Sequence, residues 1–236
     1  MRDRADICAG LTVPERGLPW EGMLARRLRV RRFVGALCAA LSLGGVAAPA
    51  RAETPAALSR EEREALLDGE RVERPLSFHA GSGSYVGGVS YQLVRAAPEE
   101  VLSALESVEA LPELLPRTRS ARLLGVEAGR ARVELTQGPS PFTATYTIQL
   151  ERQSGANEVR FWLDASAPRD IRDVWGFFRA EPQGTGRTLV TVAVALDLGP
   201  GLLRSLFERR IQRVVLGAVT QIRDFVEPRR LAEVDR

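Results

Sequence analysis

Residues 142–150 place an apolar side chain at every second position, Phe142, Ala144, Tyr146, Ile148 and Leu150, with Thr143, Thr145, Thr147 and Gln149 between them. A period of two sends one set to each face of an extended chain, so this segment predicts a strand with one buried and one polar face. The same alternation recurs in Val159, Phe161, Leu163 and Ala165 against Arg160, Trp162 and Asp164, and again in Val190, Val192, Val194 and Leu196. Residues 71–78, 84–95 and 174–181 also read as extended, as do the runs around Leu123 to Val126 and Arg132 to Leu135. Short turns rich in Gly and Asn separate them, at Gly81-Ser82-Gly83, Ala128-Gly129, Gly155-Ala156-Asn157 and Gln183-Gly184-Thr185-Gly186. Six to eight consecutive strands with such short connections require antiparallel pairing.

Two stretches change period. Pro98 opens a helix with Glu99 and Glu100 at the positive end of its dipole, and Val101, Leu102, Leu105 and Val108 then follow at helical spacing. Pro112 and Pro116 break this into a short helical hairpin. After Gly199-Pro200-Gly201 a long helix is expected to about Val226, with Leu203, Phe207, Ile211, Val214, Ala218, Ile222 and Phe225 on one face. Glu227-Pro228 is expected to end it. An apolar helix face of that length needs a sheet to lie on.

The N-terminal region has a different logic. From Met23, a cationic MLARRLRVRR precedes the apolar FVGALCAALSLGGVAA and the small-residue end PARA, in which Ala50-Arg51-Ala52 fits a signal-peptidase site. The apolar run contains three glycines and is shorter than the roughly 20 residues a spanning helix needs. The expected organisation is therefore an upstream extension at 1–22, a signal peptide at 23–52, a linker at 53–70, one domain at 71–227 and a polar tail at 228–236. The protein is expected to be exported, either periplasmic or secreted. Cys8 and Cys38 both fall in the removed segment, leaving the mature chain without thiol chemistry.

Charge follows the same division. Residues 1–52 carry 9 arginines and 4 acidic residues, and the remainder holds 24 basic and 26 acidic side chains. The basic excess resides in the leader, and no nucleic-acid partner is expected of the body.

Strand, proline-broken helical hairpin, antiparallel strands and long terminal helix form a distinctive order. With Ala97-Pro98-Glu99-Glu100-Val101, Leu111-Pro112-Glu113-Leu114-Leu115-Pro116, Trp175-Gly176-Phe177-Phe178 and Gly184-Thr185-Gly186-Arg187-Thr188, the chain resembles the START-like polyketide cyclase/dehydrase superfamily (SRPBCC, Bet v 1-like) over residues 77–227. Within it, the chain looks nearest the coenzyme Q-binding START subfamily. The resemblance implies an α+β helix-grip fold, a curved antiparallel sheet around the terminal helix, with an apolar ligand such as a lipid, quinone or polyketide between them.

His79 is the single histidine, so His-based triads and the usual zinc sites are excluded, and no metal or cofactor is expected. Gly81, Gly83, Gly87 and Gly88 lack both a following helix and a Gly-Lys-Ser/Thr signature, and read as a turn plus a distorted strand rather than a phosphate loop. Glu134, Asp164 and Asp197 read as solvated carboxylates. The candidate wall residues are Tyr91, Tyr146, Phe161, Trp175 and Phe178 on the strands, with Ile211 and Val214 on the terminal helix. Arg172 is the candidate for holding a ligand carbonyl or anionic head group at the mouth. The leading expectation is non-catalytic carriage of a hydrophobic small molecule, with transient membrane contact and oligomeric state left open. Its rivals are a cyclase or dehydratase enzyme and a structural envelope protein whose groove is filled by side chains.

Overall fold

The alternating segments pair as anticipated. The computed structural model describes residues 57–140, 143–153, 155–199 and 202–234, with 202–207 and 230–234 described by backbone alone. Phe142, the whole proposed leader and the side chains of Leu203 and Phe207 lie outside the described residues. Eight strands form one antiparallel sheet: β1 (Val72–Ala80), β2 (Gly83–Val94), β3 (Thr118–Glu127), β4 (Arg130–Gln137), β5 (Ala144–Gln153), β6 (Glu158–Leu163), β7 (Asp173–Pro182) and β8 (Thr188–Asp197). Their spatial order is β1-β2-β8-β7-β6-β5-β4-β3. The meander from β3 to β8 is thus continued by the first hairpin, with β2 paired to β8.

Register assigns every side chain to a face. Tyr146 pairs with Leu135, Ile148 with Leu163, Phe161 with Gly176 and Phe178 with Val192, so these residues share the concave face. Among the described residues, one helix, α1 (Arg60–Leu67), precedes the sheet. Over the concave face lie α2 (Pro98–Glu106), a 3₁₀ turn (Val108–Ala110), α3 (Leu111–Leu114), α4 (Leu202–Leu216) and α5 (Ala218–Val234). Val101, Leu102, Leu105, Leu114, Val219 and Ile222 join Val159, Phe178 and Val190 in one buried core. Pro98 sits in the first turn of α2, and the Glu100 carboxylate accepts the Ala97 N–H at 2.6 Å, completing the N-terminus that the sequence marked.

Glycines let the sheet bend. Gly87 and Gly88 in mid-strand β2 have φ of +154° and +140°, and a Cβ on either would come within 2.0 and 2.2 Å of the Val194 and Arg74 carbonyl oxygens of the flanking strands. Only Gly permits that approach. Above them, the Gln212 amide of α4 donates to the carbonyls of Leu76 at 3.2 Å and Gly87 at 3.0 Å, and the Ser77 hydroxyl bonds Glu208 at 2.8 Å.

Three features depart from the sequence reading. The segment 53–70, expected as a linker with at most a short helix around Leu58, Ala65, Leu66 and Leu67, carries such a helix, α1, capped reciprocally by Ser59 and Glu62 and packed onto the sheet. Leu58 and Leu66, 3% and 1% exposed, pack with Val72, Tyr91 and Leu189 on the convex face. Charge dominates this helix, so its leucines signal a short helix but not its packing, and they cover sheet residues that would otherwise meet water. The terminal helix also differs. It breaks at Gly217 into α4 and α5, where the Gly217 N–H donates to both Arg213 and Val214 carbonyls. It also runs through Pro228 to Val234 instead of ending at Glu227. There the Arg229 guanidinium lies 3.2 Å from the Phe225 ring centroid, and Arg229 pairs with Glu113 of α3 at 3.5 Å. Pro removes one backbone donor, and these contacts hold the following turn in place.

The carboxylates are the third departure. Asp164 and Asp197 leave the concave face but are buried, at 3% and 1% exposed. Asp164 accepts from the Ser166 hydroxyl at 2.6 Å and from Arg132 at 2.7 Å. Asp197 accepts the Ser84 and Gly199 N–H groups at 3.2 and 2.8 Å. Alternation reports direction, whereas burial of a charge depends on partners remote in sequence. Glu134 is half-buried and bonded to Arg122.

If α1 is part of the domain, Leu66→Ala should lower the unfolding free energy by about 3 kcal/mol, measured by urea denaturation of the full chain. A change below about 0.5 kcal/mol would show that the helix is dispensable.

Candidate functional site

Between the concave face and the terminal helix lies a cavity of about 90 Å³. Strand β4 contributes Leu135 and Gln137, β5 contributes Tyr146, Ile148 and Leu150, β6 contributes Phe161, and β7 contributes Val174 and Phe178. Val192, Val194 and Leu196 of β8 complete the strand wall, while Leu111, Leu115 and Pro116 close one side and Val214, Val215 and Ala218 the helical side. The volume is below the roughly 150 Å³ of an apolar cavity that takes up benzene, so the described space fits one small group and a larger ligand must part the walls.

Of the eight residues singled out from sequence, Tyr146, Phe161, Phe178 and Val214 line this cavity. Tyr91 and Trp175 do not, because their odd positions in β2 and β7 place them on the convex face. Tyr91 packs with Leu58 and Leu66 beneath Arg74, whose guanidinium stands 5.5 Å from the ring centroid. Trp175 meets Phe78 and Tyr85 edge-on at 6.3 and 6.2 Å. Arg172 is exposed, donates to the Ser82 carbonyl at 3.1 Å and is not among the lining residues. Ile211 is half-buried on α4, outside the lining set. Sequence reasoning selects aromatics by type, but in strands buried on both faces, as β2 and β7 are, burial of an aromatic does not tell the faces apart.

A glycine makes room for one wall residue. Gly176 lies opposite Phe161, and a Cβ there would come within 2.5 Å of the Phe161 ring and 2.1 Å of the Ala193 carbonyl oxygen. The freed space lets the Phe161 ring tilt against Phe178, with centroids 5.1 Å apart.

Sequence reasoning missed Gln137. It continues the inward set of Val133 and Leu135 by one step, and a polar residue at the next inward position was the signal available. Tyr146 and Gln137 are the two polar side chains among the described lining residues. The Tyr146 hydroxyl donates to Gln137 Oε1. Gln137 Nε2 in turn donates to Thr118 Oγ1 at 2.6 Å and approaches the Pro116 carbonyl oxygen at 3.5 Å. Burial pushes the Tyr146 pKa well above the usual tyrosine value, so the phenol stays protonated in the folded protein.

Carboxylates sit elsewhere. Glu158, 1% exposed on the convex face, is held by Arg160 and Arg179, each at 2.7 Å. Asp173 accepts the Tyr85 hydroxyl at 2.8 Å. Among the described residues, no carboxylate, histidine or arginine lines the cavity, and no cluster of metal-ligating side chains occurs.

Comparison with known proteins matches residues 94–220 to the family described as polyketide cyclase / dehydrase and lipid transport. A search of curated proteins finds no match. Among solved structures, a protein of Thermus thermophilus superposes with a TM-score of 0.52 at 19% identity, covering 61% of this chain and 97% of its own. The STAR-related lipid transfer protein of Xanthomonas axonopodis (fragment 25–204) gives 0.52 at 14% identity, over 64% of this chain and 98% of that one. The Zhui aromatase/cyclase of Streptomyces sp. R1128 gives 0.51 at 14% identity, over 69% and 96%. At such identities the likeness is one of fold, the helix-grip architecture.

Because the Tyr146 pKa is raised on folding, the unfolded chain releases its proton first as pH rises. Stability is therefore fully present below pH about 10 and declines above it. Urea unfolding from pH about 8 to about 11 should show that decline, and Tyr146→Phe should make it shallower, the rest coming from Tyr91, whose pKa burial also raises. An identical slope in the variant would place the phenol in a more solvated setting than the one described.

Proposed function

Since the chain belongs to the polyketide cyclase / dehydrase and lipid transport family, we propose that it binds and carries a hydrophobic small molecule, lipid, quinone or polyketide-like, without covalent chemistry. One observation carries this reading: the described cavity wall is apolar except for Tyr146 and Gln137. Apolar walls with few polar groups suit recognition of a largely hydrocarbon ligand. General acid–base chemistry needs a group whose pKa lies near the working pH. Tyr146 is moved away from that range by burial.

The second reading is a cyclase or dehydratase enzyme. The observation in its favour is the Tyr146–Gln137 pair, which could orient a carbonyl-bearing chain. A filled structural groove fits less well, because space remains between Phe161, Val192 and Val214.

Export forms part of the proposal and rests on the cationic and apolar runs ending at Ala50-Arg51-Ala52. N-terminal sequencing of the protein from an envelope fraction should return Glu53 first, and an uncleaved chain recovered in the cytosol would overturn it.

The carrier reading is tested by native mass spectrometry of the full chain expressed in its own cell and purified gently. An apolar molecule should accompany the protein at near one-to-one ratio. Val194→Phe, which adds bulk at a half-buried wall position, should abolish that adduct while circular dichroism stays unchanged. A protein that arrives empty and also ignores a hydrophobic fluorescent probe would sink the proposal.

A further inference from the structure

The polar corner of the cavity constrains what its ligand can be. Gln137 has an amide whose two ends are distinguished by their neighbours. The Pro116 carbonyl can only accept a hydrogen bond, so the nitrogen must face it and Thr118. That leaves Oε1 toward Tyr146, and since an amide oxygen cannot donate, the Tyr146 hydroxyl must direct its proton there. Both amide hydrogens and the phenol hydrogen are then committed within the protein. What remains available at this corner is lone pairs, on Tyr146 Oη and on Gln137 Oε1.

We infer that the cavity selects a neutral ligand that donates a hydrogen bond, a hydroxyl-bearing hydrophobic molecule such as a phenol or an alcohol, over one that carries only carbonyl acceptors. The inference rests on the carrier reading above and narrows it. A ligand hydroxyl completes the chain from ligand to Tyr146, Gln137 and Thr118, with each donor matched to an acceptor. A ketone or quinone oxygen at the same place would face lone pairs, unless Tyr146 gave up Gln137 and left a buried amide oxygen unpaired. A carboxylate fares worse, because no cationic side chain among the described residues lines the space to offset its desolvation. The commitment of Tyr146 also explains why Gln137 is itself held from behind: without Thr118 and Pro116 the amide could rotate and offer a donor.

The test uses the full wild-type chain and three single-ring probes of similar size, p-ethylphenol, p-methylacetophenone and p-ethyltoluene, titrated by isothermal calorimetry or protein-observed NMR. The phenol and the ketone have similar overall polarity, so their ratio reads the corner, while the hydrocarbon reports whether the cavity admits an aromatic guest at all. The phenol should bind about tenfold more tightly than the ketone, the factor expected of one well-formed hydrogen bond. Gln137→Leu frees the Tyr146 proton, and the preference should then reverse toward the ketone. Should that variant fail to fold, the double variant Tyr146→Phe/Gln137→Leu removes both acceptors and should bring the ratio to within about twofold. Equal or tighter binding of the ketone to wild type, with the hydrocarbon also bound, would overturn the inference and leave the carrier reading intact. A ratio unchanged in the folded variants would overturn it too. Failure of all three probes to bind would overturn this inference, while the carrier reading stands or falls with the native mass spectrometry above.

Discussion

The structure depends on three adjacent strands, β2, β8 and β7, that bury most of both faces. An antiparallel sheet with one wet face needs only one apolar set. Here the concave set, from Leu135 through Tyr146, Phe161 and Phe178 to Val192, is covered by the terminal helices and the helical hairpin. The convex set has its own cover, α1 over Tyr91 and Leu189 at one end and the rings of Phe78, Tyr85 and Trp175 against one another at the other. Bending follows from the same demand. The sheet must curve for one helix to reach strands so far apart, and Gly87, Gly88 and Gly176 allow backbones and rings to approach where a side chain would hold them off.

Strand register also sorts charge. The buried carboxylates Glu158, Asp164, Asp173 and Asp197 all lie away from the described cavity wall, and each is satisfied by arginine, hydroxyl or backbone N–H groups. Buried charge is tolerable only with such partners. The described cavity wall is left neutral, with one hydrogen-bonded pair at its corner. A wall of that kind can discriminate by shape and by hydrogen-bond direction, and it has little with which to move protons.

Much of the fold was legible in the sequence, because it is written in periods. Alternation through Tyr146, Ile148 and Leu150, the Pro98 helix start and the glycine-containing turns each rest on local physics, and the strands and hairpin appear where those signals stand. The site was half legible. Tyr146 and Phe161 belong to alternating runs whose inward face was clear, whereas Phe178 and Trp175 share β7, apolar on both sides, where parity has no reference, and Tyr91 lies on the more apolar face of β2, which is the convex one because Ser90 and Gln92 face inward. Gln137 carried no apolar signal, and its role emerges only when β4 brings it beside Tyr146 and the entry to β3 supplies Thr118 and Pro116. Similarly, Leu58 and Leu66 look ordinary in sequence until the convex face is seen to need them. The run through Pro228 shows the reverse case, where a strong local stop signal yields to contacts made by Arg229.

The uncharged wall has a thermodynamic consequence. Binding in a space without fixed charges gains nothing from long-range attraction, so its strength should hardly vary with ionic strength. Burial of apolar surface instead gives the association a negative heat-capacity change. Its enthalpy and entropy will therefore exchange roles with temperature, although the affinity itself changes slowly. On the proposed reading, an apolar ligand would stay bound through swings in surrounding salt that would strip a ligand held by ion pairs.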